Sequence, residues 1–124
     1  MTKDKKLLLG VVGPCSSGKS TLVAGLKKRG VSVRHIAQEH SYVKDMWRRF
    51  SNPDILIFLD VSYPVAQERR KLNWTTREYE KQTYRLRNAR QHADLYLDTD
   101  ELRPEEILKK VLSFIAEIYN ETPN

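Results

Sequence analysis

The chain of 124 residues is poor in cysteine and in long apolar runs. Its one cysteine, Cys15, rules out an internal disulfide and is typical of a reducing compartment. The apolar run near the N-terminus, which ends at Val12, is far too short to span a membrane, and no signal-peptide cleavage pattern follows it. We therefore expect a cytoplasmic protein without a membrane segment.

Several catalytic patterns are also missing. The histidines and the single cysteine lack the spacing of zinc ligands, which weighs against a zinc site. No Ser/His/Asp or Cys/His arrangement for acyl transfer is evident. The sequence contains neither a D-x-x-G switch nor a guanine-reading N-K-x-D, which weighs against a GTPase.

Repeats, low-complexity tracts and linkers are absent as well. Apolar residues make up 40% of the chain and charged residues 31%, as is ordinary for a folded globular protein. A chain of this length buries enough surface to fold without a disulfide or a structural metal. We expect one domain that spans residues 1–124.

What is present is an alternation of apolar strands and helical segments. Strands are predicted over 6–12, 31–37, 54–61 and 93–98. Helices are predicted over 19–29 and 41–50, from Pro64, over the basic stretch 69–92 with a break near 73–76, and from Pro104. This order predicts an α/β fold, a three-layer α/β/α arrangement with a short parallel sheet of four strands, a fifth being left open.

The segment 13–20, GPCSSGKS, fits the Walker A pattern G-x-x-x-x-G-K-[ST] between a predicted strand and a predicted helix. Glycines let the backbone curl around phosphates, so that amide groups and the helix N-terminus point at the anion. Lys19 would reach the β- and γ-phosphates, and the Ser20 hydroxyl would join the shell of Mg²⁺. The predicted nucleotide-binding residues are Gly13, Pro14, Cys15, Ser16, Ser17, Gly18, Lys19, Ser20 and Thr21. The alternative is a glycine-rich turn in an ordinary α/β protein.

The net charge of +6 is concentrated in one segment, 69–92. Eight basic residues there face only two glutamates. Such a segment is either a solvated helix face or a surface that meets polyanions, which would be nucleotide phosphates or nucleic acid.

With the loop placed, the chain resembles the small P-loop kinases, the group of nucleoside, nucleotide and dephospho-CoA kinases. The segment 38–41, QEHS, resembles the E-R-S or D-R motif of deoxynucleoside and thymidylate kinases. The strand 53–61, PDILIFLDV, is similar to that of thymidylate-kinase-like proteins, and a helix with paired arginines follows it. The segment 93–99 with Leu102 and Pro104 looks like the last strand and helix of cytidylate-type kinases, whose intervening loop lies near the base.

The resemblance implies roles for individual residues. Glu39 would be the general base or a Mg²⁺ ligand, with an exposed loop glutamate as the alternative. Asp60, by its place at the end of a predicted strand, could polarise a Mg²⁺-bound water, with a structural role such as capping the next helix as the alternative. The segment 69–92 would be a lid whose arginines Arg85, Arg87 and Arg90 neutralise charge on the transferred phosphoryl group, with Arg87 favoured and Arg77 as a further candidate.

Three departures from the family pattern indicate a pared-down member. His40 stands where an arginine follows the acid in the family. The segment 41–52 leaves little room for an acceptor-binding subdomain, and one strand with its helix is missing before Val31. His35 and His40 are interpreted as surface or hydrogen-bonded residues, and Trp47 and Trp74 as packing residues, with base stacking as the alternative for the tryptophans.

The sequence thus predicts a protein that binds ATP and Mg²⁺. The favoured activity is transfer of the γ-phosphoryl group to a small-molecule acceptor such as a nucleoside, a nucleotide or a pantetheine compound. The first alternative is a regulatory protein that binds or hydrolyses nucleotide without an acceptor. The second, disfavoured, alternative is a nucleic-acid-associated protein. The oligomeric state is left open.

Overall fold

A computed structural model describes residues 7–70 and 75–121 of the chain, the side chains of Arg70 and Glu121 excepted. The strands are β1 (Leu9–Val12), β2 (Val33–His35), β3 (Ile55–Asp60) and β4 (Leu95–Asp98). The helices are α1 (Lys19–Lys28), α2 (Met46–Phe50), α3 (Tyr63–Arg70), α4 (Thr76–Arg85), α5 (Arg87–His92) and α6 (Pro104–Glu121), with a 3-10 turn at Gln38–His40.

The four strands form one all-parallel sheet in the order β2-β1-β3-β4. Leu9 of β1 pairs with Val33 on one side and with Ile55 on the other. Helical crossovers join these strands, since a parallel pair cannot be closed by a short hairpin. The α/β class and the four parallel strands predicted from the sequence are confirmed, and no fifth strand occurs in the described part of the chain.

The central strand β3 is buried on both faces, as its unbroken apolar sequence requires. Ile57 faces one apolar cluster and Phe58 the other. The first cluster contains side chains of α1 and α6, and the second contains side chains of α2 and α5. Helices therefore cover both faces of the sheet, an arrangement compatible with three layers.

Two predicted elements are shorter than expected. The helix predicted over 41–50 begins only at Met46, because the buried Gln38 side chain binds the chain that precedes it. Its amide donates to the Val43 carbonyl at 2.8 Å, and its oxygen accepts from the Trp47 backbone N–H at 2.9 Å. In its described residues, the basic segment 69–92 comprises the end of α3 and the separate helices α4 and α5, with buried Leu86 between the last two. The break predicted near 73–76 lies partly outside the described residues.

The strand order brings the candidate residues to one edge of the sheet. The chain runs from β1 to its neighbour β2 and then crosses to β3 on the opposite side of β1. Ligands of open α/β sheets bind at such a switch point, beyond the carboxyl ends of the strands. The loop after β1, the 3-10 turn after β2 and Thr99 after β4 all lie at these ends.

In the described ranges no helix has both the length and the apolar character needed to cross a bilayer.

Candidate functional site

The loop between β1 and α1 is held tightly against β3. Gly13 has a φ of 153°, and a Cβ atom at this position would lie 2.0 Å from the Leu59 carbonyl oxygen. Only glycine therefore fits here without moving the β3 backbone. The Ser17 N–H donates to the Pro14 carbonyl at 3.2 Å and closes the turn that leads into α1.

Two hydroxyl groups in this loop lack protein partners. Ser16 Oγ and Ser17 Oγ are buried, and neither forms a hydrogen bond with any described residue. A buried polar group without a partner costs free energy that is recovered when a ligand or water supplies one. The loop thus offers unused hydrogen-bonding capacity just before the N-terminus of α1.

Lys19, the first residue of α1, folds back over the loop. Its Nζ donates to the carbonyl oxygens of Gly13 at 2.7 Å and Pro14 at 3.0 Å, and forms an ion pair with Glu39 Oε2 at 2.8 Å. The two side chains are only 6% and 5% exposed. The ammonium group is therefore held by two carbonyls and one carboxylate at the mouth of the loop.

Glu39 reaches this position from the 3-10 turn after β2. Its residue exposure is 3%, so the interpretation of Glu39 as an exposed loop glutamate is wrong. Its second oxygen, Oε1, is buried and accepts no hydrogen bond from the described residues. One half of the carboxylate is thus available to a cation or a hydroxyl group.

An open cleft of about 430 Å³ lies beside this ion pair. Its lining residues come from the loop, from the start of α1 and from the segment that follows β2. They are Cys15, Ser16, Gly18, Lys19, Ser20, Thr21, His35, Glu39 and His40. Desolvation and the nearby Lys19 ammonium lower the pKa of His35. The neutral imidazole is therefore favoured at the wall of this cleft.

A second cavity, of about 170 Å³, also borders the loop but is not lined by Glu39. Leu102 and Pro104 line it together with Arg69 of α3. Arg69 Nη1 donates to the Ser16 carbonyl at 2.9 Å, and Nη2 donates to the Thr99 carbonyl. Arg69 thereby connects the loop to the segment after β4.

Arg85 and Arg87, two of the predicted lid arginines, contact different parts of the protein. Arg85 Nη1 donates to the Glu39 carbonyl at 3.2 Å, and Nη2 donates to the Tyr42 hydroxyl at 2.7 Å, which lowers the pKa of Tyr42. Arg87 instead stacks on the Tyr84 ring and donates to the Tyr84 carbonyl at 2.8 Å. Residues two apart in a helical segment point in nearly opposite directions, so only Arg85 reaches the turn that carries Glu39.

Asp60, at the end of β3, lies in a different group. Its Oδ1 accepts from the Val61 N–H at 2.9 Å, and its Oδ2 accepts from the Tyr96 hydroxyl and lies 3.8 Å from Arg90 Nη1. It is not among the residues that line the cleft with Ser20 and Glu39. The structure therefore does not bring Asp60 together with the other predicted metal ligands.

The sequence analysis missed three side chains that hold the loop. Arg69 was foreshadowed only by the paired arginines after the third strand. Thr99 Oγ1 lies 3.1 Å from the Ser17 carbonyl oxygen and 2.8 Å from the Asp60 carbonyl oxygen, a position signalled only by its place after a strand. Gln82 of α4 accepts from the Cys15 N–H at 2.9 Å, and nothing in the sequence marked it.

The predicted tryptophans divide between the described and undescribed residues. Trp47 is buried, and its Nε1–H donates to Asn88 Oδ1 at 3.0 Å, which confirms its interpretation as a packing residue. Trp74 lies outside the described residues.

Comparison with known proteins adds no relative to this picture. The chain matches no protein-family model, and no curated protein matches it at a significant level. Its function therefore has to be argued from the chemistry of the site rather than from kinship.

Proposed function

We propose that this chain is a P-loop protein with the three-layer α/β/α fold of that superfamily, which binds Mg·ATP on residues 13–20 and acts as a small-molecule kinase. The observation that carries the proposal is the position of Lys19. Its buried ammonium group lies against the Gly13 and Pro14 carbonyls of a glycine-bounded loop and pairs with Glu39 from the 3-10 turn after β2. Burial of a lysine ammonium group has a free-energy cost, and a turn that only connects a strand to a helix gains nothing from it.

The loop has the features of an anion site. It leads into the N-terminus of the ten-residue helix α1, where backbone N–H groups and the helix dipole favour negative charge. The unpartnered Ser16 and Ser17 hydroxyls add donors that a phosphate oxygen can use. On phosphate binding, Lys19 would release the Gly13 and Pro14 carbonyls and donate to phosphate oxygens instead. These contacts are stronger because both partners are charged.

The residues beside the loop also fit magnesium. The Ser20 hydroxyl and the Glu39 carboxylate line the same cleft, and both are hard oxygen donors of the kind that Mg²⁺ takes. When bound, the ion neutralises charge on the nucleotide phosphates. Asp60 is engaged with Val61, Tyr96 and Arg90, so we assign it a structural role at the end of β3.

Glu39 and Arg85 are the candidates for chemistry at the γ-phosphoryl group. Glu39 Oε1 is free to accept the proton of an acceptor hydroxyl, and release of Lys19 would free Oε2 as well. Arg85 has a buried Nε–H without a partner among the described residues and is already bound to the Glu39 carbonyl. It would stabilise the charge of the transferred group, whereas Arg87 lies too far round the helix.

The cavity of about 170 Å³ is the candidate for the base of the nucleotide. It combines the apolar Leu102 and Pro104 with the Arg69 guanidinium, a mixture suited to a flat heterocycle. It borders residues 16–18 without touching Glu39, so the base would lie away from the residues that bind the γ-phosphoryl group.

A phosphate-transfer screen tests this proposal. Wild-type protein is incubated with Mg²⁺ and γ-labelled ATP against nucleosides, nucleotides and pantetheine compounds. We expect Arg85→Ala to slow transfer at least about a thousandfold, the lower end of arginine contributions in related systems. Arg87→Ala, a matched control on the adjacent turn, should retain the wild-type rate within a factor of about three. Transfer to no acceptor above the level of Glu39→Gln would reject the kinase.

One observation favours a second candidate, a nucleotide-binding or hydrolysing regulator without an acceptor. Between β2 and β3 the chain forms only a 3-10 turn and the five-residue helix α2. This leaves no acceptor-binding subdomain in that connection. Slow ATP hydrolysis by the wild type, unaffected by any acceptor in the screen, would favour this candidate over the kinase.

A further inference from the structure

Three metal-ligating side chains converge at the rim of the cleft, although they are scattered in the sequence. Cys15 Sγ, the Glu39 carboxylate and His40 Nε2 all lie within 4.8 Å of one another. Cys15 and His40 are 25 residues apart in the chain. No short-range spacing of the kind found in zinc motifs could have revealed them, and the expectation that zinc has no site here rested on such spacing.

The distances fit a four-coordinate metal. Cys15 Sγ lies 3.7 Å from His40 Nε2, which lies 3.7 Å from Glu39 Oε2. Tetrahedral coordination with metal–ligand bonds of about 2.0–2.3 Å separates neighbouring ligand atoms by about 3.3–3.8 Å. Two of the three separations thus fit already, whereas Cys15 Sγ and the Glu39 carboxylate, within 4.8 Å of each other, would draw closer when one ion binds all three. A fourth position would face the open cleft, where water can occupy it.

The free oxygen of Glu39 points independently to a cation. The Glu39 side chain is 5% exposed, and its Oε1 is buried without a partner among the described residues. Lys19 occupies only Oε2. The 3.7 Å separation from His40 is measured to Oε2, so a cation held beside His40 would share that oxygen with Lys19 or engage Oε1 after rotation of the carboxylate.

Two hydrogen bonds with Gln82 hold Cys15 in position at the rim of the cleft. Gln82 Nε2 donates to Cys15 Sγ at 3.3 Å, while Gln82 Oε1 fixes the Cys15 backbone N–H. Hydrogen bonds from such outer partners orient metal ligands and stabilise their charge. When a metal–sulfur bond forms, the thiol proton is released to solvent.

We propose that Cys15, Glu39 and His40 form a site for a borderline-soft divalent cation, Zn²⁺ in particular. One thiolate, one imidazole and one carboxylate suit zinc, whereas magnesium avoids sulfur. The site lies on the wall of the same cleft that would receive phosphates, so a bound zinc ion would obstruct them. The zinc site itself does not depend on the proposed nucleotide chemistry, because all its ligands belong to the protein.

Titration with Co²⁺ in the absence of nucleotide tests the site, since cobalt takes the same ligands as zinc and absorbs light. The folded wild type should develop the near-ultraviolet charge-transfer absorption of a cobalt–thiolate bond. One equivalent of Zn²⁺ should abolish this absorption, and a large excess of Mg²⁺ should leave it unchanged. No such absorption at saturating Co²⁺ would overturn the proposal, whatever the outcome for ATP.

Variants identify the ligands. Cys15→Ser should remove the absorption, and His40→Ala should weaken Co²⁺ binding at least about tenfold, because loss of an inner ligand costs no less than loss of an outer one. His35→Gln is the matched control, a histidine on the same cleft outside the cluster, and should bind as the wild type does. Full binding by His40→Ala, or loss of binding in His35→Gln, would contradict the assignment. Far-ultraviolet circular dichroism checks that each variant is folded.

Discussion

Lys19 and Glu39 form a buried ion pair, so the free-energy cost of removing charge from water at the site falls mainly on these two residues. Both charges are nearly excluded from water, and Glu39 Oε1 has no hydrogen-bond partner within residues 7–70 and 75–121. Removal of one member of a buried pair leaves the other uncompensated, which typically destabilises by about 3–5 kcal/mol. The pair is thus suited to binding rather than to stability.

Two variants measure the loss of stability that follows when one charge of the pair is buried alone. Lys19→Met should lower the free energy of unfolding by about 3 kcal/mol or more, because the Glu39 carboxylate is then buried alone. Lys19→Met combined with Glu39→Gln should be more stable than Lys19→Met, since no charge remains. Urea unfolding gives both values, with Lys28→Met on the exposed end of α1 as the control. Equal stability of Lys19→Met and the wild type would contradict the buried pair.

The pKa values of two tyrosines are shifted in opposite directions. Burial and the hydrogen bond to Asp60 raise the pKa of Tyr96 to about 12, whereas the Arg85 hydrogen bond lowers the pKa of Tyr42. In an ultraviolet titration of tyrosinate, Tyr96→Phe should remove the last component and Tyr42→Phe an early one. If Tyr96→Phe removes an early component instead, the contact with Asp60 is wrong.

The same raised pKa affects stability at alkaline pH. Between its ordinary value of 10.0 and about 12, Tyr96 keeps its proton in the folded state but loses it in the unfolded state. The unfolded state then binds fewer protons, so stability falls as pH rises through this window. Tyr96→Phe should make that fall shallower in urea unfolding measured above pH 10.0.

At the scale of elements, the loop after β1 depends on contact with β3. Gly13→Ala would place a methyl group 2.0 Å from the Leu59 carbonyl oxygen, so a central strand would have to move. We expect a loss of about 3 kcal/mol or more in the free energy of unfolding. Gly30→Ala is the control, because its φ of 77° carries strain but its Cβ meets nothing within 4 Å. It should cost about 1–2 kcal/mol. A smaller effect at position 13 than at position 30 would contradict the close contact.

The elements themselves were predictable where local sequence and burial agree. The apolar run of β3 and the inward residues of α1 correspond to the structure because each pattern has one way to bury itself. The start of α2 was not predictable, because it depends on the Gln38 side chain, which binds Val43 and Trp47 through a tertiary arrangement. Element type follows from local pattern, whereas element ends follow from particular side chains.

The site was predictable only in part for a similar reason. The motif located Lys19 and the loop, because its spacing is written in adjacent residues. The choice between Arg85 and Arg87 depends on the direction each side chain takes from its helix, and Arg87, which the family resemblance favours, contacts Tyr84 rather than Glu39. The contacts of Arg69 and Gln82 with the loop join residues 53 and 67 positions apart, beyond the reach of any local pattern.

At the scale of the whole molecule, both apolar clusters share one sheet. Alternate residues of β3 contribute to each, so neither cluster can open without disturbing the other. We expect a single unfolding transition. Trp47 fluorescence, measured in a Trp74→Phe background, reports the α2 face, and far-ultraviolet circular dichroism reports the whole fold. Coincident urea transitions are predicted, and separate midpoints would show that the two faces unfold independently.

Residues 13–20 lie at the carboxyl ends of the parallel strands, where we propose that a nucleotide binds. Calorimetric titration with ATP, with and without Mg²⁺, tests this proposal most directly in three proteins. They are the wild type, the charge-neutral double variant Lys19→Met with Glu39→Gln, and the control Lys28→Met.

We expect saturable, Mg²⁺-dependent binding of ATP to the wild type and to Lys28→Met. In the double variant the affinity should fall at least about tenfold, because the charged hydrogen bond from Lys19 to phosphate is lost. Absence of binding to folded wild type, or equal affinity in the double variant, would contradict the claim.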